Sequence, residues 1–155
     1  MDPAHCIRRA TLVDAAAVGR LLYDFNREYD DPTPDPEAMA ARVRELIAAE
    51  QITVLVAGQP AVGVSVLRFR PALWSQALEC YLAELYVVPG HRGRGIGRAL
   101  MEASIELARA EGADHMDLGT GENDTAARAL YESLGFTNNE GRPGGPVNYF
   151  YERDL

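Results

Sequence analysis

The feature of this sequence that most constrains its fold is a run of alternating glycines between an apolar segment and an amphipathic one. The apolar segment "LECYLAELYVV" leads into the glycines, and "GIGRALMEASIELARAEG" follows with helical periodicity. A strand that turns through such a loop into a helix presents backbone N–H groups at the positive end of the helix dipole. The pattern therefore predicts an anion site formed by Gly93, Gly95 and Gly97, with Arg92 and Arg94 beside it.

Two common phosphate-binding signatures do not fit this loop. A Walker loop requires a lysine after its last glycine, and all 15 basic residues of this chain are arginines. A dinucleotide-binding fingerprint requires a third glycine where Arg98 stands. A nucleotide-binding module is therefore the weaker interpretation, and an ordinary glycine-rich turn with surface arginines stays open.

Strand-like and helix-like segments alternate along the rest of the chain. β-branched and apolar patterns predict strands at residues 7–11, 52–57, 61–69, 78–88, 115–120 and 147–154, and helical spacing predicts helices at 14–29, 36–50, 95–112 and 125–135. Asp35 is expected to cap the second helix, with Pro36 at its first position. The order indicates a mixed α/β fold with hairpins and one strand–helix–strand crossover, in a single domain spanning 1–155.

Composition excludes several classes of function. A formal net charge of -8 argues against nucleic-acid binding, which needs a basic face. No apolar run approaches a membrane span and no signal peptide is visible, so we expect a cytoplasmic protein without a membrane partner. Cys6 and Cys80 lack the spacing of a zinc site or disulfide framework, and His5, His91 and His115 show no metal-site spacing, so no metal is expected.

Two blocks of the sequence resemble a known family. The R-x-x-G-x-G pattern at Arg92–Gly97, after a strand and before a helix, resembles the acetyl-CoA motif of the GNAT superfamily of N-acetyltransferases. "NDTAARALYESLGF", Asn123–Phe136, resembles the family's downstream motif, and the strand and helix order is similar over nearly the whole chain. The resemblance implies a mixed, mostly antiparallel sheet of about seven strands with about four helices, splayed between the fourth and fifth strands to admit the pantetheine arm.

The same resemblance implies a cofactor site for acetyl-CoA as cosubstrate. The fourth strand of the family carries a β-bulge that faces the cofactor, and residues 85–88 occupy that position here. The pyrophosphate would lie on the amides of residues 92–97, where the residues themselves already indicate an anion. One of two adjacent residues, Asn123 or Asp124, would contact the cofactor. The full set implied is Leu85, Tyr86, Val87, Val88, Arg92, Gly93, Arg94, Gly95, Ile96, Gly97, and Asn123 or Asp124.

Two residues are candidates for acid–base chemistry. Glu84 interrupts the apolar segment "YLAELYVV" at a position where several family members carry an acidic residue, which implies a general base acting directly or through water. A solvent-facing polar residue in a half-exposed strand is the alternative. Tyr131 matches the family tyrosine that faces the CoA sulfur, which implies a general acid, and the alternative is a core tyrosine. The N–H of Val87 is expected to hold the oxyanion.

The resemblance implies that the first helix pair and the loop between them line the acceptor side, and this region contains an acidic segment. "YDFNREYDDPTPDPE" lies between the first two predicted helices, and its carboxylates suit a polyamine, an aminoglycoside or a basic peptide end, although a solvated acidic loop explains them equally well. The predicted function is acetyl transfer from acetyl-CoA to a primary amine by direct attack in a ternary complex. The alternative is a catalytically silent acyl-CoA sensor, and a homodimer is compatible with the sequence. The carboxylates are Asp24, Glu28, Asp30, Asp31, Asp35 and Glu37.

Overall fold

A computed structural model describes residues 2–155, which divide into two compact units. The first ends at Leu118 and the second spans Gly119–Leu155. The first unit contains five strands and three helices, and the second contains one helix. The strands are β1 (Ile7–Arg9), β2 (Thr53–Ala57), β3 (Gly63–Pro71), β4 (Leu78–Val87) and β5 (Ala113–Leu118), and the helices are α1 (Ala15–Glu28), α2 (Pro36–Ala48), α3 (Ile96–Ala110) and α4 (Thr125–Ser133).

The first unit is built on one mixed sheet with strand order β1-β2-β3-β4-β5. Strands β1 to β4 pair antiparallel with their neighbours, and β4 pairs parallel with β5. The parallel pair requires the crossover through α3, as expected for a strand–helix–strand connection. The predicted mixed α/β, mostly antiparallel architecture is therefore confirmed.

Helices cover both faces of this sheet. On one face, Val54, Val56, Val64 and Val66 pack with residues of α1 and α2 in one apolar cluster. On the other face, Leu55 and Ala57 pack with Ile96 and Leu100 of α3. Because both faces are covered, the strands read as nearly continuous apolar runs rather than as clean alternation.

The contact between α1 and α2 depends on Gly19. A Cβ atom at this position would lie 2.6 Å from the backbone nitrogen of Ala40, so only glycine permits the observed approach of the two helices. The start of α2 follows the prediction: the Asp35 side chain accepts a hydrogen bond of 2.8 Å from the N–H of Ala38, and Pro36 is the first helical residue. The acidic segment is thereby held between two helix ends.

The second unit differs from the prediction. Residues 147–154 do not form a strand, and the only pairing recorded near them is an isolated bridge between Asn139 and Val147. Their apolar side chains, including those of Tyr149, Phe150 and Tyr151, are exposed. Consequently, the part of the chain that the structure describes holds five strands, not about seven. None of the helices within residues 2–155 has the length and apolar character needed to cross a membrane.

Candidate active site

A β-bulge in β4 determines which way Glu84 points. Leu82 lies opposite Leu67 and Glu84 lies opposite Val66, so Ala83 is an extra residue with no partner on β3. The resemblance implied a bulge at residues 85–88, and this is corrected by the structure, in which the extra residue is Ala83. Side chains alternate between faces along a strand, and one additional residue reverses that alternation. As a result Leu82 shares the α3 face of the sheet with Leu67, whereas Glu84 shares the α1/α2 face with Val66.

The carboxyl group of Glu84 occupies a mixed environment. Solvent reaches the side chain, which is exposed, yet the surrounding protein removes part of its hydration. This desolvation raises the pKa of Glu84 above its usual value, the nearby Arg68 lowers it, and the negative charge of Asp31 raises it further. A carboxylate with a raised pKa is a stronger base than an ordinary surface glutamate, which is a property required of a general base.

The backbone of β4 beyond the bulge has one edge that β5 does not cover. The parallel pairing with β5 ends at Leu82 and Leu118, whereas β4 continues to Val87. The N–H of Val88 donates to the carbonyl oxygen of Val62 at 2.9 Å, which fixes the orientation of the peptide groups before it. Because these groups alternate along an antiparallel strand, those of Leu85 and Val87 point away from β3. Pairing between the fourth and fifth strands therefore stops before the end of β4, as expected for two strands that separate at this point.

The glycine loop leads directly from β4 to the start of α3. Gly93 and Gly95 have φ angles of 74° and 82°, a left-handed conformation that favours glycine. Gly95 is the N-cap residue of α3 and supplies no side-chain cap, and the first helical hydrogen bond runs from Ala99 to the Gly95 carbonyl at 3.0 Å. The N–H groups of Ile96 and Gly97 lie before that bond, in the first turn of the helix, and form part of the positive end of the helix dipole. This geometry suits an anion.

Side chains of the loop have different surroundings. Ile96 is 1% exposed and belongs to the core, so only its backbone is available to a ligand. Gly97 lies within the first turn of α3. Arg94 is exposed, and its carbonyl oxygen lies 2.6 Å from Nε2 of His5. His5 was not predicted to contact the loop, because nothing in its local sequence indicates a partner 89 positions away.

Arg92 is held by groups outside the loop. Its Nε donates to the carbonyl oxygen of Val87 at 2.8 Å, and its Nη2 donates to the carboxylate of Glu28 at 2.8 Å. Its guanidinium also lies 5.5 Å from the ring centre of Tyr86, which is buried and stacked on Phe25. Of the β4 candidates, Leu85 and Val87 pack toward α3, whereas Tyr86 and Val88 pack toward α1 and α2.

The second unit contains the remaining predicted residues. Tyr131 is buried in α4, in edge-to-face contact with Phe136, and desolvation and the charge of Asp124 raise its pKa to about 12. The carboxylate of Asp124 caps α4 by accepting from the N–H of Ala127 at 3.4 Å, and it also accepts from the Thr120 hydroxyl at 3.5 Å. Asn123 is exposed in the preceding turn.

The acidic segment is less uniform than its sequence indicates. Asp24 pairs with Arg20 at 3.3 Å, Glu28 pairs with Arg92, and Asp35 caps α2. Glu37 lies in the first turn of α2, where a negative charge stabilises the helix. Asp30 and Asp31 are exposed in the turn after α1, and Asp31 acts on the titration of Glu84.

Burial makes one of the two cysteines unreactive. Cys80 is buried in β4, and desolvation raises its pKa to about 11, which keeps the thiol protonated and unreactive at neutral pH. Over residues 2–155, His, Cys, Asp and Glu side chains do not gather into a group of three that would hold a metal ion.

Comparisons with known proteins identify the family of this chain. Residues 18–136 match the model of the Acetyltransferase (GNAT) family. The crystal structure of a putative acetyltransferase from Arthrobacter sp. FB24 is 44% identical, with a TM-score of 0.87 over 97% of this chain and 96% of that chain. An aminoglycoside acetyltransferase, HMB0005, from an uncultured soil metagenomic sample is 26% identical, with a TM-score of 0.74 over 97% of this chain and 98% of that chain.

A further relative is similar over a shorter region. A mycothiol acetyltransferase of Beutenbergia cavernae is 39% identical over 69 residues, which cover 43% of this chain and 23% of that protein. The chain therefore spans less than a quarter of the length of this relative. The family model covers well over half of the present chain, and the protein consequently belongs to the GNAT acetyltransferase family and is an acyltransferase.

Proposed function

We propose that the chain acts as a single acetyltransferase domain that transfers an acetyl group from acetyl-CoA to a primary amine. The amine attacks the thioester directly in a ternary complex. One observation carries the proposal: the bulge at Ala83 directs the Glu84 carboxylate to one face of the sheet, while the peptide groups of Leu85 and Val87 point to the open edge of β4. A thioester along that edge and an amine at that face would meet at one short segment of backbone.

The donor site would follow β4 into α3. The pantetheine arm lies along residues 85–88, and the pyrophosphate rests on backbone N–H groups of residues 93–97, where two left-handed glycines let it approach closely. The N–H of Arg92 is excluded from this set because it donates to the carbonyl oxygen of Pro89 at 3.3 Å. The N–H of Val87 is placed to stabilise the oxyanion of the tetrahedral intermediate. In the second unit, Asn123 is the better candidate for a cofactor contact, because the carboxylate of Asp124 already caps α4.

Proton transfer is assigned to two residues. Glu84 removes a proton from the attacking ammonium group, directly or through one water, and its raised pKa strengthens it as a base. Tyr131 is the donor of a proton to the departing CoA thiolate. Its pKa of about 12 keeps the phenol protonated at any physiological pH, but it also makes Tyr131 a weaker acid than an ordinary tyrosine. An acetyl-cysteine intermediate at Cys80 is disfavoured because this thiol is buried and protonated.

The acceptor we propose is a cationic amine of the aminoglycoside or polyamine type, or the basic end of a peptide. Asp30 and Asp31 supply exposed negative charge after α1, and Asp31 is near enough to Glu84 to affect its pKa. Similarity over almost the full chain to an aminoglycoside acetyltransferase supports the small-molecule acceptors.

The test is a thiol-release assay with acetyl-CoA and a panel of amines that includes an aminoglycoside, spermidine, a lysine-rich peptide and an anionic amino sugar. We expect CoA release with at least one cationic acceptor and formation of its N-acetyl product by mass spectrometry. Tight acetyl-CoA binding without release on any amine would favour the sensor alternative. A thermal shift with ATP or NAD, and none with CoA, would contradict both.

A further inference from the structure

Arg92 connects the glycine loop with the end of β4 and with the end of α1, which lies 64 positions away. It binds the last residue of β4 through Nε and the last residue of α1 through Nη2, each at 2.8 Å. The two bonds are made by two nitrogens of one planar guanidinium, whose geometry is rigid. The ring of Tyr86, at 5.5 Å from the guanidinium carbon, packs against the same group.

These contacts are charge-assisted and partly shielded. The Glu28 carboxylate is 28% exposed, and its hydrogen bond raises the pKa of Arg92. A hydrogen bond between oppositely charged groups is roughly twice as strong as a neutral one. These bonds occupy only part of the N–H donors of the guanidinium, but the Glu28 carboxylate already neutralises its charge. The attraction of Arg92 for a second anion is therefore weaker than that of an unpaired arginine, which disfavours a role as a pyrophosphate ligand.

We propose that Arg92 is a positioning residue for acetyl transfer rather than a ligand of the cofactor phosphates. This inference rests on the function proposed above. The bond to Val87 fixes the peptide group at the open edge of β4, on the same side as the Val87 N–H that would hold the oxyanion. The bond to Glu28 fixes the end of α1, and the turn after it carries Asp31. Through these two bonds, the Arg92 guanidinium sets the position of the open edge of β4 relative to the acidic segment.

The two roles of Arg92 predict opposite effects of changing Glu28. If Arg92 were a phosphate ligand, Glu28→Gln would remove a competing negative charge and strengthen acetyl-CoA binding. If Arg92 is a positioning residue, Glu28→Gln removes the charge that strengthens the hydrogen bond from Arg92, so the guanidinium is held less firmly and the site is weakened. We expect a roughly 5-fold higher KM for acetyl-CoA together with a lower kcat. Arg92→Lys keeps the charge, loses the fork, and should behave in the same way.

The experiment compares Glu28→Gln, Arg92→Lys and their double variant in steady-state assays with acetyl-CoA and with S-acetyl-pantetheine, which has no phosphate. Positioning predicts equal fold-losses with both donors, and a double variant no worse than either single variant, because both changes break one linkage. Glu45→Gln is the matched control, since Glu45 forms an ion pair of 3.0 Å with Arg42 on the surface of α2. This control variant should leave KM and kcat unchanged with both donors.

Two results would overturn the inference: tighter acetyl-CoA binding by Glu28→Gln, or a loss in Arg92→Lys that is confined to acetyl-CoA. Amide hydrogen exchange over residues 88–97 of the unliganded protein provides a measurement that needs no activity. Faster exchange there in Glu28→Gln than in Glu45→Gln supports the linkage, and equal exchange contradicts it. Wild-type protein that fails to bind acetyl-CoA would instead contradict the proposed function, and hydrogen exchange would still decide the role of Arg92.

Discussion

Nε2 of His5 lies 2.6 Å from the carbonyl oxygen of Arg94, so the first turn of the chain is hydrogen-bonded to the glycine loop. His5 belongs to a short 3₁₀ turn, Pro3–His5, that the Asp2 side chain caps. The contact restrains the peptide that precedes Gly95, the N-cap residue of α3. A loop that binds an anion through its backbone is most effective when its N–H groups are already oriented, because less conformational entropy is then lost on binding.

The first prediction concerns this hydrogen bond. His5→Ala should raise the Kd for acetyl-CoA roughly 5-fold, the equivalent of one hydrogen bond of about 1 kcal/mol. Isothermal titration calorimetry measures it. His115→Ala, which removes an exposed histidine of β5, is the control and should leave the Kd unchanged. If both variants bind acetyl-CoA as the wild type does, His5 plays no part in ordering the loop.

The second prediction separates backbone strain from ligand binding. Gly95→Ala places a Cβ at a φ of 82°, which costs about 1–2 kcal/mol of stability, and it adds a methyl group where the pyrophosphate would approach. Gly112→Ala imposes similar strain, at a φ of 93°, beyond the opposite end of α3. Both variants should lose similar stability in urea, but only Gly95→Ala should weaken acetyl-CoA binding. Equal acetyl-CoA affinity in the two variants would place the anion elsewhere.

The third prediction concerns the pH dependence of Glu84. A general base must be ionised, so kcat/KM should rise with pH through the raised pKa of this carboxyl, and Glu84→Gln should remove that limb with a loss of roughly 10²-fold. Acetyl-CoA affinity should stay nearly constant. Glu79→Gln, which removes a charge from the same strand where Glu79 pairs with Arg70, should retain the acidic limb. An unchanged limb in Glu84→Gln would assign the base to another group.

The same raised pKa also affects stability. Glu84 favours the folded state only while it is protonated, and this contribution is lost as the pH rises through its folded pKa. At pH 7 the charged carboxylate therefore opposes folding, and Glu84→Gln should raise the Tm even though it lowers turnover. Scanning calorimetry at pH 4 and pH 7 should show a larger gain at pH 7. A fall in Tm at pH 7 would mean that the carboxylate is stabilised by its surroundings.

The fourth prediction concerns Tyr131 as the acid. Tyr131→Phe should lower kcat by roughly 10-fold or more with acetyl-CoA, whose thiolate needs a proton as it departs. An aryl thioacetate, which has a less basic leaving group, should show a smaller loss. The phenol pKa of about 12 means that no fall in activity below pH 10 arises from its ionisation. Tyr149→Phe, at an exposed tyrosine, is the control; equal losses with both donors would exclude the acid role.

The fifth prediction concerns the acceptor. Replacing Asp30 and Asp31 together by asparagine should lower kcat/KM for multiply charged amines and reduce its dependence on salt, because attraction between exposed charges is screened over about 8 Å at physiological ionic strength. Asparagine tolerates the positive φ of 54° at position 30. The double variant Glu102→Gln, Glu106→Gln on α3 removes equal charge from another surface. Identical losses of kcat/KM in both double variants would show that the effect arises from the net charge of the protein and not from the position of Asp30 and Asp31.

Local signals allowed much of the fold to be predicted. The Asp35–Pro36 pair marks a helix start that depends only on adjacent residues, and α1, α3 and α4 follow from apolar residues at helical spacing. The strand predicted at residues 147–154 is wrong because strand formation does not depend on local residues alone. Its alternating pattern favours a strand, but a strand also requires a partner, and no local pattern identifies one.

The candidate site was predicted only in part, because its residues are arranged by contacts between distant positions. The sequence indicated the chemical types of Glu84, Tyr131 and the glycine loop. It did not indicate that Glu28 binds Arg92, 64 positions away, or that His5 binds Arg94. Nor did it indicate which residue of β4 forms the bulge, since Ala83 has no property that separates it from an ordinary strand residue.

The bulge at Ala83 is a point where β4 can change length without changing its faces. If Ala83 were deleted, Leu82 would still lie opposite Leu67 and Glu84 opposite Val66, so each side chain would keep its side of the sheet. An insertion between Glu84 and Val88 has a different consequence: with Val88 still anchored to Val62, it would turn the Glu84 carboxylate towards α3. Length variation in β4 among homologues should therefore be confined to the bulge and avoid residues 84–88.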